Sequence, residues 1–93
     1  MNKNKLKVTR NKVDQIDKKI FSLIKKRTQI IKYMLSLKKF KKEIVDHKRN
    51  NEILKKIRNR SINNGVDPQI TKRIWKAMIL SYVDFQRKNF KKK

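Results

Sequence analysis

The sequence predicts an all-α chain of three helices, the first of them long. Three observations carry this. Apolar residues recur at helical spacing along most of the chain, and no alternating strand pattern appears. The one glycine and the one proline, Gly65 and Pro68, fall together in "NNGVDPQ". Ninety-three residues make one domain, and a chain of that size buries only roughly 60–65% of its unfolded surface. Residues 1–93 therefore read as a single domain, with the Lys/Asn-rich segments 1–7 and 88–93 as frayed tails.

The first helix is expected over about residues 8–39. Val13, Ile16, Ile20, Leu23/Ile24, Ile30/Ile31 and Met34 form its apolar stripe. "KKFKKE" then breaks the pattern and reads as a loop or frayed turn. The second helix is expected over about 45–62, with Ile53, Leu54, Ile57 and Ile62 on its apolar side. Asp46 near its start suits the helix dipole. "NNGVDPQ" reads as a stop and a start: Gly65 in a left-handed position past the helix end, Asp67 as the next cap, Pro68 in the first turn. The third helix is expected over about 68–88. Ile70, Ile74, Met78, Tyr82 and Phe85 form its stripe, with Trp75, Ala77 and Ser81 beside it.

A helix of ~30 residues is ~45 Å long. A compact domain of this size is only roughly 30 Å across, from its radius of gyration. The stripe runs nearly the whole length of the first helix, so a second chain is expected to cover it. Packing alone thus predicts an obligate homodimer.

The formal charge is +22. Clustered Lys and Arg bind nucleic acid by releasing counterions. Here the lysines are scattered along the chain on polar helix faces, and Lys, Ile and Asn are abundant together, as A/T-rich coding favours. The charge therefore reads first as a solvated surface that attracts small anions, and nucleic acid is the weaker reading. There is no cysteine, hence no disulfide, thiolate metal site or thiol nucleophile, and His47 is the lone histidine. No metal or cofactor is expected. "MNKNKLKV" lacks the apolar segment of a signal peptide, and "IIKYMLSL" is too short to span a bilayer, so a cytoplasmic protein with no membrane contact is expected.

Several polar residues interrupt the apolar faces. Arg27 falls within the stripe of the first helix, and Lys38, eleven residues on, lies on nearly the same face. Arg49 stands between Val45 and Ile53, and Gln86 follows Tyr82 by one turn. A long side chain can bury its stem and keep its head in water. Four polar residues on one core, three of them cationic, instead imply an anionic ligand between helices, with Asp46 neutralising one cation. The chain has 22 lysines but only seven arginines, Arg10, Arg27 and Arg49 among them. A guanidinium grips a carboxylate with two hydrogen bonds, which lysine cannot. Two such forks point to a dicarboxylate. Arg27 and Lys38 are ~16 Å apart along the helix, within the joint reach of two long side chains around one small molecule. Arg10 is ~25 Å before Arg27 and about 100° round the helix, so it would join such a site from a partner chain.

At this point the chain resembles the small all-helical chorismate mutases. The resemblance rests on "TRNKVDQIDKKIFSLIKKR" (9–27), Lys38, "VDHKRNNEIL" (45–54), "GVDPQITKRIW" (65–75) and "SYVDFQ" (81–86), and it covers about residues 8–88. It implies an intertwined homodimer of three-helix chains and the Claisen rearrangement of chorismate to prephenate, on the way to phenylalanine and tyrosine. It also implies roles by position. Arg10 from the partner chain and Arg27 would hold the two carboxylates. Lys38 and Gln86 would be the catalytic donors to the ether oxygen. Arg49 would support the carboxylate region, and Asp46 would place the ring hydroxyl. The chain departs from the family's pattern twice: Asn50 stands where Glu is common, and Tyr82 where Ser is common. Both positions belong to the substrate-binding set. A pericyclic rearrangement needs a substrate held in its reactive shape and donors aimed at the oxygen that gains charge, and it needs no nucleophile. The same fold also serves isochorismate-pyruvate lyases, which use a similar cationic pocket. A basic helical module binding nucleic acid and a mutase fold kept for dimerisation alone are the remaining readings.

Overall fold

A computed structural model describes residues 2–91. It contains α1 (Lys3–Leu37), a short 3-10 turn (Lys41–Glu43), α2 (His47–Asn63) and α3 (Pro68–Asn89), with no strand among the described residues. The expected all-α, three-helix class with a long first helix is what folds. The chain divides into two compact units, Met1–Tyr33 and Met34–Lys93.

The first unit is the bulk of α1. It begins at Lys3 rather than near residue 8, because Asn2 caps it. The Asn2 Oδ1 accepts from the backbone N–H groups of Asn4 and Lys5, at 3.0 and 3.1 Å. Asparagine is among the best residues for this, so a segment that reads as a polar tail is the first turn of a helix. Thr9 and Thr28 return their hydroxyls to the carbonyls of Lys5 and Ile24, one turn back. The apolar stripe lies open: Val13, Ile16, Ile20 and Leu23 are all exposed.

The second unit begins with the last turn of α1. That helix stops at Leu37, two residues short of expectation. Lys38 N–H bonds the Leu35 carbonyl at 3.2 Å in a tightened turn. The next two N–H groups, of Lys39 and Phe40, go to the Glu43 carboxylate at 2.7 and 2.9 Å. Glu43 N–H in turn donates to the Phe40 carbonyl at 3.0 Å. "KKFKKE" is thus a closed turn and not a frayed one. It delivers Ile44 inward, where Leu35, Ile44 and Val83 form the buried apolar cluster, with Val45 and Phe90 against it. The packing of Phe90 explains why α3 runs to Asn89 and why residues 88–90 are not the expected frayed tail. Residues 1, 92 and 93 of the expected tails lie outside the described residues.

Asp46 caps α2, its carboxylate accepting from Arg49 N–H at 2.9 Å. The helix ends in two interlocked bonds, Val66 N–H to the Ser61 carbonyl (2.9 Å) and Gly65 N–H to the Ile62 carbonyl (3.4 Å). They require the left-handed φ of +69° at Gly65, as the sequence predicts. Asp67 then caps α3 through Gln69 N–H at 2.9 Å, with Pro68 in the first turn.

Helices α2 and α3 pack side by side. Their contact is fixed by a polar pair that hydrophobic periodicity could not find. The buried Ser61 hydroxyl lies 2.7 Å from both the Ile57 carbonyl and the Thr71 hydroxyl. Each hydroxyl has one proton. If Ser61 donates to Ile57, Thr71 donates to Ser61. The expected stripes hold at Ile53, Leu54, Ile57, Met78, Tyr82 and Phe85, which are half-buried, and fail around this pair. Ser61 is inside and Ile62 outside; Thr71 and Trp75 face inward, whereas Ile70 and Ile74 are exposed.

Candidate active site

The turn after α1 and the last turns of α3 bring two of the expected site residues into contact. Lys38 Nζ donates to Gln86 Oε1 at 2.7 Å. Gln86 is only 5% exposed, although it is an uncharged polar residue on a helix rich in exposed cations. Its Nε2 donates to the Tyr82 carbonyl at 3.1 Å, one turn back on α3. The amide is therefore held at both ends. A carboxamide nitrogen carries two hydrogens, and one is committed to Tyr82. The lysine ammonium carries three, and one is committed to Gln86.

Lys38 also lines a cleft of about 540 Å³. Met34, Leu37 and Val45 supply its apolar wall, and Lys38, Glu43, Asp46 and His47 its polar edge. Burial pushes the Lys38 ammonium below the ordinary lysine range, against the opposing attraction of Glu43 and Asp46. Glu43 is held below the ordinary carboxylate range, first by the hydrogen bonds from Phe40 and Lys39 N–H and then by Lys38 and Lys39 nearby.

Asp46 is brought to the same cleft as Lys38. Its carboxylate accepts from the backbone N–H of Arg49, and its charge acts on the Lys38 ammonium, so the cation it offsets is Lys38. Arg49 itself is exposed rather than on the inner side of α2. Its Nη1 stands 4.0 Å from Glu52 Oε2, with both side chains about half exposed (57% and 50%). An exposed pair at that distance is worth little, and the arginine stays a solvated cation at the start of α2. Asn50 is half-buried on the first turn of α2, where its N–H bonds the Asp46 carbonyl at 2.9 Å. Tyr82 is half-buried, one turn before Gln86. Neither Asn50 nor Tyr82 lines the cleft. Arg10 and Arg27 belong to the other unit, Arg10 exposed and Arg27 half-buried.

Sequence reasoning passes over Glu43, which reads as part of a broken pattern. The signal available was its isolation: it is the only acid between Asp17 and Asp46, in a run of lysines. His47, the first residue of α2, is exposed at the rim of the cleft, consistent with a helix-end residue.

Chemically, Lys38 offers hydrogen-bond donors at the cleft, on a partly desolvated frame that the buried Gln86, itself outside the cleft lining, holds from α3. Such an arrangement stabilises an oxygen that gains negative charge, and it needs no change in the protein as the charge develops. Among the described residues, no group of three His, Cys, Asp or Glu side chains is placed to hold a metal ion. No helix among them is long and apolar enough to cross a membrane. Residues 9–87 match the family described as chorismate mutase type II. No curated protein and no solved structure matches the chain.

Proposed function

Because the chain belongs to the chorismate mutase type II family, we propose that it converts chorismate to prephenate, acting as a cytoplasmic homodimer with two shared sites. The observation that carries the reading is the 2.7 Å bond between Lys38 and Gln86, two residues 48 apart in sequence that the family likeness casts as donors to one oxygen. In the rearrangement the ether C–O bond breaks as a new C–C bond forms, and the ether oxygen gains negative charge. The remaining N–H groups of Lys38 and Gln86 stabilise that charge. Removing one such preorganised donor costs ~10²–10³-fold in rate in comparable sites.

The other roles follow the substrate's shape. Arg27 and Arg10 of the partner subunit each take a carboxylate, the second from across the dimer because ~25 Å of α1 separates the two positions within one chain. Asp46 and Asn50 take the ring hydroxyl. Arg49 and Tyr82 flank the carboxylate region; the exposure of Arg49 in the single chain fits a residue that becomes enclosed only with substrate and partner. The exposed stripe of Val13, Ile16, Ile20 and Leu23 supports the dimer. The step leads towards phenylalanine and tyrosine.

Incubating the purified protein with chorismate and following the loss of its ultraviolet absorbance tests the proposal. Turnover without added cofactor is expected, and no loss above the buffer rate overturns it. Isochorismate offered in parallel, with pyruvate as the readout, distinguishes the lyase of the same fold. Pyruvate release in place of prephenate formation also overturns it.

A further inference from the structure

Glu43 stands between two jobs that the Lys38–Gln86 pair needs done. The first is mechanical. Lys38 is the first residue past α1, where its N–H to the Leu35 carbonyl at 3.2 Å ends the helix. In the turn that follows, three bonds involve Glu43, and two of them end on one of its oxygens: Lys39 N–H at 2.7 Å and Phe40 N–H at 2.9 Å. The third is Glu43 N–H to the Phe40 carbonyl at 3.0 Å. The turn is held there on one side, and by Ile44 seated against Leu35 and Val83 on the other. The second job is electrostatic. Glu43 and Lys38 line the same cleft.

We propose that Glu43 is a positioning residue for Lys38, closing the turn that carries the lysine and presenting it with a fixed negative charge across the cleft. The inference rests on the mutase reading for its catalytic consequence, and on this turn alone for its physical one.

The groups around Lys38 define what Glu43 adds. Burial disfavours the ammonium, whereas Glu43 and, to a lesser degree, Asp46 favour it. From α3 the facing group is the uncharged amide of Gln86. His47 completes the polar rim from the start of α2. Lys38 and Lys39 in turn favour the charged form of Glu43. Of the two carboxylates acting on Lys38, Asp46 is committed to capping α2. Glu43 is committed to the turn that follows the lysine, so its bonds fix the backbone next to Lys38 while its charge acts on the ammonium.

Charge and bonding separate by substitution. Glu43→Gln keeps an amide oxygen able to accept from both N–H groups but removes the charge. Glu43→Ala removes both. The experiment compares these with the wild type in three readouts: kcat on chorismate, the pH dependence of kcat/KM, and the titration of Lys38 in the free protein. The last is followed by NMR of its side-chain CH₂–N group, identified as the signal absent from Lys38→Arg. In Glu43→Gln the Lys38 titration and the alkaline limb of kcat/KM are expected to move to lower pH by roughly half to one unit, as one partly screened charge produces. In that variant kcat near neutrality stays within about 3-fold of wild type, since small displacements are what cost rate. In Glu43→Ala kcat falls about 10-fold or more, because the lysine is no longer held in place. A Lys38 titration unchanged in Glu43→Gln overturns the electrostatic part, and wild-type kcat in Glu43→Ala overturns the positioning part. If the wild type itself leaves chorismate intact, the mutase reading fails. The NMR titration, together with exchange protection of the Lys39 and Phe40 amides in Glu43→Ala, then still decides the physical role: unchanged protection and titration overturn it.

Discussion

Gln86 is where packing and chemistry meet in one side chain. It is buried, accepts from Lys38 and donates to the Tyr82 carbonyl. A buried amide with only part of its hydrogen-bonding capacity used is poorly explained by stability alone. Gln86→Leu, of similar volume, should lower kcat on chorismate by ~10²-fold while far-ultraviolet circular dichroism stays that of the wild type. Lost stability with kcat unchanged would argue for a packing role. Lys38 adds a pH signature. Its proton is held less tightly than an ordinary lysine's because of burial, so the ammonium is fully present below its lowered value and is lost as pH rises through it. The alkaline fall of kcat/KM, which reports the free enzyme, should therefore have its midpoint below the ordinary lysine range. A flat profile to that range would remove Lys38 from the donor role. For stability the sign is the reverse. The fold binds this proton more weakly than the unfolded chain does, so the cost of charging Lys38 is relieved as pH rises through the same window.

At the scale of elements, the termini and turns decide what was legible. Gly65, Asp67 and Pro68 spell a helix stop and start in adjacent residues, and the structure uses each in the expected way, because these residue types have few other roles. Nothing lies within 4 Å of a Cβ added at Gly65, so Gly65→Ala should cost only the backbone penalty of a left-handed residue, about 1 kcal/mol. Asp67→Ala should cost about 1 kcal/mol through its lost cap. Urea melts of the two variants check both figures. Other features were not legible because composition hid them. Asn2 caps α1 from inside a segment that looks like a solvated tail. Ser61 and Thr71 occupy an inner face that apolar periodicity assigns to Ile62, Ile70 and Ile74. Glu43 closes a turn that reads as a loop or frayed turn because lysines surround it. In each case a polar side chain bonds to backbone or to another hydroxyl, and hydrophobic spacing carries no trace of such bonds. Arg49 misleads in the opposite direction. Its position on the helical wheel is inward, but its long side chain reaches out to Glu52.

For the molecule as a whole, charge is the dominant feature. Four of the seven acids are engaged locally: Glu43 in its turn, Asp46 and Asp67 as caps, Glu52 beside Arg49. Little of the +22 charge is neutralised within the chain, and a field of that sign suits the dianionic substrate proposed above. In the proposed homodimer a second chain covers the open stripe on α1 and supplies Arg10 to the site of Arg27. Arg10→Ala and Arg27→Ala proteins should each be inactive alone. Mixed and allowed to exchange subunits, they should recover about a quarter of wild-type activity, since half the dimers are mixed and each has one whole site of two. No recovery after confirmed exchange would place Arg10 outside the shared site.

The most direct test of the central claim follows chorismate by proton NMR in the presence of the wild-type protein and, in parallel, of Lys38→Ala. The account predicts prephenate as the product of the wild type, and a rate for Lys38→Ala lower by ~10² or more with the helical fold intact. Chorismate left unchanged by the wild type, or consumed equally fast by Lys38→Ala, would contradict it.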